Sequence, residues 1–244
     1  MKRNPMHFAD APQAIFFDLD DTILDFTAPA GPAAVEAAER FAEHYGQTDP
    51  ATVRQAIDRV SQQWWSDADR HRAGRLDLRN TRIHNAAEAL AALGIADDNL
   101  STRIADTFTE LRTEALQLFP GARATLEHFR DAGVRMALLT NGDSVGQRYK
   151  IERFELAGFF DTILIEQEFG VGKPDESVFR HALDTLGSSP EKTWMVGDNL
   201  EWEIEPCRRL GLHTVWVDFL AQGLPAGTII PHRTVLSIRE LVES

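Results

Sequence analysis

Residues 14–22 read AIFFDLDDT, an apolar run that ends in three carboxylates within four positions. A short, continuous apolar run is typical of a strand buried on both faces, so we predict a strand over residues 14–18. Asp18 and Asp20 stand two residues apart, which on an extended chain directs both side chains to the same side. Neighbouring carboxylates are costly unless a cation compensates them or one of them holds a proton. The stretch therefore predicts an acidic site at the carboxyl end of a strand, where open α/β sheets bind ligands.

The rest of the chain alternates between short apolar runs and amphipathic segments. The apolar runs predict further strands over residues 134–140, 162–165, 194–197 and 214–217. Helical periodicity between them predicts helices over residues 122–132, 144–157, 176–186 and 202–210. Strands that alternate with helices indicate right-handed crossovers, so we expect an α/β fold with a doubly wound, Rossmann-like parallel sheet.

The long interval between the first and second predicted strands contains no convincing strand. Amphipathic patterns in it predict helices over residues 32–45, 51–72, 78–93 and 101–118. Short connections between such helices favour an antiparallel bundle that packs as one unit. We therefore expect two domains, an α/β core of residues 1–25 and 116–244 and an inserted α-helical domain of residues 26–115.

The composition excludes several classes of partner. A net charge of -13 argues against a nucleic acid polymer, because such binding draws on Lys and Arg that displace counterions. The apolar runs are much shorter than the roughly 20 residues that a membrane helix needs. Residues 1–11 lack the apolar segment of a secretion signal, so we expect a cytoplasmic protein. Cys207 is the single cysteine and is predicted to pack in the core. The oligomeric state stays open.

Polar residues follow the later predicted strands at the same edge of the sheet. Thr140 and Asn141 end the second strand and are neutral donors to phosphate oxygens. Lys173 follows the third strand in a glycine-rich segment that lacks the Ser or Thr of a Walker motif. Asp198 follows the fourth strand, and Glu203 begins the next helix. Taken singly, each has an ordinary explanation as a turn residue, a solvated lysine or a helix cap; together they predict a site for phosphate and Mg²⁺.

The four segments, in this order, resemble the motifs of the haloacid dehalogenase-like hydrolase superfamily. The resemblance implies that Asp18 is a nucleophile that accepts a phosphoryl group, and that Asp20 protonates the leaving oxygen and then activates water. It further implies that Mg²⁺ is held by Asp18, by the main-chain carbonyl of Asp20 and by Asp198. Phosphate oxygens would be bound by Thr140, the Asn141 amide and Lys173.

The helical insert is similar to the C1-type cap of this superfamily, which closes over the site and selects substrates. Within the superfamily, residues 20–26 are similar to nucleotide 5′-phosphatases and acylneuraminate phosphatases. Where members commonly carry Asn-Asp, this chain has Trp202-Glu203, so we expect Glu203 to support the metal through water. Trp64 and Arg82 are candidates for recognising a small phosphorylated substrate from the cap.

Three alternatives remain open at the level of the sequence. A haloacid dehalogenase uses the same kind of nucleophile. Those enzymes lack a carboxylate at the position of Asp20, so the presence of Asp20 argues against this alternative. A phosphomutase would keep all four motifs. A catalytically idle relative would keep the fold, although nothing would then require Asp18, Asp20, Lys173 and Asp198 to be present together.

Overall fold

A central parallel sheet dominates the computed structural model, which describes residues 12–97 and 99–242. Residues 1–11, assessed above for a secretion signal, lie outside the described residues. The strands within the described ranges are β1 (Ala14–Phe17), β2 (Leu24–Asp25), β3 (Gln117–Leu118), β4 (Arg135–Thr140), β5 (Thr162–Ile165), β6 (Thr193–Gly197), β7 (His213–Val217) and β8 (Arg233–Val235). The sheet has the order β5-β4-β1-β6-β7-β8 with every pair parallel. The predicted doubly wound α/β fold is confirmed.

Helices cover both faces of the sheet and fill the insert. Those of the described residues are α1 (Ala30–Arg40), α2 (Pro50–Ser66), α3 (Ala68–Arg75), α4 (Leu78–Ala92), α5 (Leu100–Ala115), α6 (Ala122–Asp131), α7 (Ser144–Arg153), α8 (Glu166–Phe169), α9 (Glu176–Leu186) and α10 (Glu205–Leu210). A π-helical turn, Leu200–Ile204, leads into α10. None of them is both long and apolar enough to cross a membrane.

The alternation of side chains along β1 divides the core into two halves. Ile15 and Phe17 pack into one apolar cluster, whereas Ala14 and Phe16 pack into another on the opposite face. All four are fully buried, as a parallel strand covered by helices on both faces requires. Cys207 is buried in the second cluster, which confirms its prediction as a packed core residue.

The helices of the insert share their own apolar cluster, which includes Tyr45, Val53, Leu90 and Leu100. The prediction of one helix over residues 51–72 was wrong, because the chain breaks at Asp67. There the backbone is extended (φ -91°, ψ 123°), and the carboxylate caps α3 by accepting a hydrogen bond from a main-chain N–H. The predicted helix over 101–118 ends at residue 115, and β3 begins at Gln117 and pairs antiparallel with β2. The two connections to the insert therefore run side by side.

Candidate active site

A buried lysine organises the acidic edge of the sheet. Asp18 directly follows β1, and its main-chain N–H donates to the carbonyl of Val196 on β6 at 3.0 Å. Its carboxylate Oδ1 accepts a hydrogen bond from Lys173 Nζ at 2.6 Å. The same ammonium donates to Glu203 Oε1 at 2.6 Å and to the carbonyl oxygen of Leu139 at 2.7 Å. All three donors of the Lys173 ammonium group are therefore satisfied, which fixes its position against Asp18.

The loop that carries Lys173 is held by the motif that follows β4. Asn141 brackets Lys173 from both sides: Oδ1 accepts from the lysine main-chain N–H at 2.8 Å, and Nδ2 donates to its carbonyl at 2.7 Å. The neighbouring Gly172 has no room for a side chain, because an added Cβ would lie 2.5 Å from the Glu166 Cδ. In this conformation the Asn141 side chain positions the lysine.

Glu203 reaches the strand edge from the π-helical turn before α10. Its side chain is buried, and Oε2 accepts a hydrogen bond from the Asn199 main-chain N–H at 3.1 Å. The approach depends on Gly197 at the end of β6, since a Cβ there would lie 1.9 Å from Glu203 Oε2. Glu203 is therefore close enough to pair with Lys173. This contact accounts for a glutamate where the motif commonly has the shorter aspartate.

Three carboxylates converge beside the lysine. Single oxygens of Asp18, Asp198 and Glu203 all lie within 4.8 Å of one another. Burial, and next the charge of Glu203, raise the pKa of Asp18 to about 8 and that of Asp198 to about 9. Burial opposes the charge of Lys173, but Asp18 and Glu203 more than offset this and raise its pKa. When all three carboxylates are ionised, the single ammonium group leaves two negative charges unbalanced, which a divalent cation would compensate.

Asp20 is held by a second lysine, apart from the first. Lys150 Nζ donates to Asp20 Oδ2 at 2.6 Å and to Oδ1 at 2.8 Å. Gln147 Nε2 donates to Asp20 Oδ2 at 3.2 Å and to Thr140 Oγ1 at 2.8 Å. Gln147 and Lys150 lie three residues apart on α7 and so share one face of the helix. The two acids at the end of β1 therefore pair with different lysines: Asp18 pairs with Lys173, and Asp20 pairs with Lys150 of α7.

Comparison with known proteins agrees with this geometry. Residues 12–211 match the family model of the haloacid dehalogenase-like hydrolases. This chain belongs to the haloacid dehalogenase-like hydrolases. Glyceraldehyde 3-phosphate phosphatase of Pyrococcus furiosus is 32% identical over 209 residues, which cover 85% of this chain and 81% of that protein. N-acylneuraminate-9-phosphatase of Rattus norvegicus is 30% identical over 232 residues, covering 94% and 92%.

The fold agrees with a solved structure of the same family. The HAD hydrolase YfnB of Bacillus subtilis, crystallised with magnesium bound, aligns with a TM-score of 0.71 and 22% identity. The alignment covers 95% of this chain and 97% of that one. The predicted membership of the phosphatase branch of the haloacid dehalogenase-like hydrolases is confirmed, because the curated relatives named here are phosphatases.

A buried ion pair joins the insert to the edge of the sheet. Arg75, at the end of α3, donates from Nε and Nη2 to the two carboxylate oxygens of Glu166, each at 2.7 Å. The side chains of Arg75 and Glu166 are 14% and 2% exposed, so water screens this pair little. Trp202 packs beside it, with its ring 5.0 Å from the Arg75 guanidinium carbon and 4.7 Å from the His71 ring. The tryptophan that departs from the family pattern thus serves the contact between insert and core.

The two residues proposed for substrate selection differ in their surroundings. Trp64 contacts other parts of the insert: its Nε1 donates to the Arg70 carbonyl at 3.2 Å, and its ring lies 5.0 Å from that of His84. Arg82, partly buried on α4, donates to Thr109 Oγ1 at 2.8 Å. Burial, and next the charge of Arg112, lower the pKa of Arg82 to about 10. The cation beside Trp64 is Arg70, 5.3 Å from its ring centroid, whereas the cation beside Arg82 is Arg112.

Three polar residues of the site were not predicted from the sequence, namely Gln147, Lys150 and Glu166. A signal existed for the first two, because a lysine and a glutamine share the face of α7 that also carries the buried Ile151. Such a pattern indicates a buried polar contact rather than a solvated surface. Glu166 and Arg75 lie 91 residues apart in the chain, and nothing local to either predicts their contact.

Proposed function

We propose that this chain is a magnesium-dependent phosphohydrolase that cleaves phosphate monoesters of a small metabolite through an aspartyl-phosphate on Asp18. The observation that carries the proposal is the separation of the two neighbouring acids. Asp18 pairs with Lys173, whereas Asp20 pairs with Lys150. Two carboxylates in different electrostatic settings can take the roles of nucleophile and of acid and base.

The first step is the attack of Asp18 on phosphorus. An oxygen of its carboxylate forms a bond to phosphorus while the bond from phosphorus to the ester oxygen breaks. Asp20 gives a proton to that oxygen, so that the alcohol leaves neutral. Lys173 holds the nucleophile in one orientation through the hydrogen bond at 2.6 Å, and its positive charge favours the ionised carboxylate.

The second step releases phosphate. Asp20, now ionised, takes a proton from a water molecule whose oxygen attacks the phosphorus of the aspartyl-phosphate. The bond from phosphorus to the Asp18 oxygen breaks, which restores the carboxylate. Lys150 and Gln147 hold the Asp20 carboxylate between the two steps through hydrogen bonds of 2.6–3.2 Å. Thr140 binds a phosphate oxygen, and Lys173, whose three N–H donors are already used, attracts the phosphoryl group through its charge.

Mg²⁺ fits the acids that converge at the strand ends. The donors are hard oxygens, as this ion prefers, and their two unbalanced negative charges match its charge. Asp18, Asp198 and the main-chain carbonyl of Asp20 would hold the ion, which supplies positive charge that stabilises the phosphoryl oxygens. Glu203 acts on the site through Lys173, with which it pairs at 2.6 Å.

We further propose that residues 26–115 form a cap domain on a core of residues 1–25 and 116–244. Support comes from the separate apolar cluster of the insert and from the paired strands β2 and β3 at its base. The curated relatives named above act on different compounds, so they leave the substrate of this chain open. Arg82 and Trp64 are the candidates for substrate selection from the cap.

The experiment that tests this function compares Asp18→Asn and Asp20→Asn with p-nitrophenyl phosphate as substrate. We expect wild type to require Mg²⁺ and to stop in excess chelator. Asp18→Asn should form no covalent intermediate. Asp20→Asn should accumulate a phosphoryl adduct on Asp18, visible by mass spectrometry after rapid quenching, because an aryl leaving group needs little protonation. Asp184→Asn, an exposed position on α9, serves as the control. Full turnover by Asp18→Asn, or an adduct on another residue, would refute the mechanism.

A further inference from the structure

Two arginines of the insert approach the strand edge without an anionic partner. Arg82 on α4 and Arg112 on α5 are both partly buried. Arg82 donates to the hydroxyl of Thr109 at 2.8 Å, and Arg112 donates to the carbonyl of Phe26 at 2.7 and 3.2 Å. Across the described ranges of the chain, neither guanidinium forms an ion pair with a carboxylate. A cation removed from water is normally paired, so these contacts with neutral oxygens leave part of their hydrogen-bonding capacity unused.

Another arginine of α4, Arg79, forms an ion pair with a carboxylate and so provides a comparison for Arg82. Arg79 lies three residues before Arg82 and also reaches α5, where it makes a bidentate contact with Asp106 at 2.8 Å through each nitrogen. The corresponding partner of Arg82, three residues after Asp106, is Thr109. The chain therefore supplies a carboxylate to the exposed arginine and a hydroxyl to the more buried one.

The two unpaired guanidinium groups are close to each other and to the reacting groups. Their central carbons lie 5.2 and 5.9 Å from the centroid of the Phe108 ring, which thus contacts both. Arg112 also stacks on the ring of Phe26 at 3.5 Å, and Lys150, the partner of Asp20, lies 4.3 Å from that same ring. The arginines therefore stand on the side of Asp20, where the leaving group of a phosphate ester would lie.

The acids of the core near these arginines already have other hydrogen-bond donors: Asp20 is held by Lys150 and Gln147. Asp21 accepts hydrogen bonds from the N–H groups of Phe26 and Thr27 at 3.0 and 2.8 Å. Asp143 caps α7 by accepting from the Gly146 N–H at 2.7 Å. The charges of the core acids reach the arginines only at longer range: burial lowers the pKa of both guanidinium groups, and this is partly opposed by Asp20 and then Asp21 at Arg112, and by Asp143 at Arg82.

We propose that Arg82 and Arg112 bind a carboxylate on the alcohol part of the substrate, so that the enzyme cleaves phosphate monoesters of small hydroxy acids. The planar fork of a guanidinium matches a carboxylate, and the Phe108 ring keeps the two forks apart so that each can reach one side of it. This inference rests on the proposed phosphatase function and specifies its substrate class.

Pairs of probes that differ only in one charge test the proposal. We would measure kcat/KM with Mg²⁺ for 2-phosphoglycolate and its amide, and for 4-carboxyphenyl phosphate and its amide. Wild type should prefer the acid in each pair. In Arg82→Gln and in Arg112→Gln the ratio of acid to amide should fall by about 10- to 100-fold, the loss expected for a charge-assisted hydrogen bond. Arg82→Lys, which keeps the charge but not the fork, should retain part of the preference.

Arg79→Gln is the matched control, because it removes the same kind of side chain from the same helix while leaving the proposed site intact. Its ratio of acid to amide should stay within about twofold of wild type, as expected for an exposed ion pair. Circular dichroism of each variant reports folding, and Arg112→Gln decides the matter independently if Arg82→Gln fails to fold.

The outcomes separate this inference from the proposed function. Hydrolysis of both members of each pair at equal rates, unchanged in the arginine variants, would overturn the inference and leave the phosphatase function standing. A stronger preference for propanediol bisphosphate than for either acid would overturn the assignment of a carboxylate. No hydrolysis of the four probes or of p-nitrophenyl phosphate would overturn the function and the inference together.

Discussion

Replacement of Lys173 by Met measures most directly how much the lysine charge stabilises the cluster of carboxylates around it. The ammonium group is 2% exposed and donates three hydrogen bonds of 2.6–2.7 Å, two of them to carboxylates. Methionine preserves most of the volume of the side chain and removes the charge. Asp18, Asp198 and Glu203 would then face one another with no cation among them. We expect a large loss of stability in the metal-free protein.

The size of this loss follows from the burial of the pair. Removing one partner of a buried ion pair costs about 3–5 kcal/mol of unfolding free energy. For a chain of this length that corresponds to a fall in Tm of roughly 6 to 20 °C. Changing Glu203 to Gln in the same protein removes one of the carboxylates left unpaired, so the double variant should regain part of the loss.

The assay is thermal unfolding followed by circular dichroism, in chelator and then with Mg²⁺ added. Mg²⁺ should raise the Tm of Lys173→Met by more than that of wild type, because the carboxylates of the variant have no ammonium group to compensate them. Lys192→Met makes the same replacement at an exposed position and should leave Tm unchanged. If Lys173→Met in chelator unfolded at the wild-type temperature, the charge balance described here would be wrong.

Two further predictions concern the same edge of the sheet. Gly197→Ala should displace Glu203 from Lys173, because the added Cβ would lie 1.9 Å from Glu203 Oε2. We expect the free energy of unfolding, measured in urea, to fall by about 1–3 kcal/mol. Gly158→Ala is the control and should cost far less, because a Cβ there meets nothing within 4 Å. Burial and Glu203 raise the pKa values of Asp18 and Asp198 from 3.8 to about 8 and 9, so the folded, metal-free protein holds protons that the unfolded chain has released. Their contribution to stability is therefore complete below pH 3.8 and declines as pH rises through about 8. Mg²⁺ displaces these protons and should bind more tightly at pH 8 than at pH 5 in calorimetric titration; affinity independent of pH would contradict the assignment.

Much of this fold could be predicted from the sequence, because the patterns that indicate its strands and motifs are local. A strand buried on both faces is a continuous apolar run, and residues 14–17 form one that lies at the centre of the sheet. The motif residues follow such runs directly, so topology alone brings them to one edge. Strand β8 was not predicted, because only Val235 of its three residues is buried and the segment has no apolar run.

The parts that could not be predicted depend on contacts between distant segments. The helix predicted over 51–72 has a continuous amphipathic pattern, and it breaks because Asp67 caps α3 with its own side chain. The pairing of Lys150 with Asp20 joins residues 130 apart in the chain. A lysine on a helix most often lies in solvent, so its type alone does not indicate burial. Only the packing of α7 against the end of β1 determines which acid it meets.

Glu166 shows how the insert and the phosphate-binding loops depend on one buried carboxylate. Its Oε2 accepts from Arg75 of the insert at 2.7 Å and from the Gly142 N–H at 3.0 Å, directly after Thr140 and Asn141. Its side chain also fills the space against Gly172, beside Lys173. Replacing Arg75 by a neutral side chain would leave this carboxylate buried without its cation, at a cost of about 3–5 kcal/mol. The position of the insert and the geometry of both loops are therefore coupled through a single side chain, so a change at Arg75 affects the residues that hold phosphate without touching them.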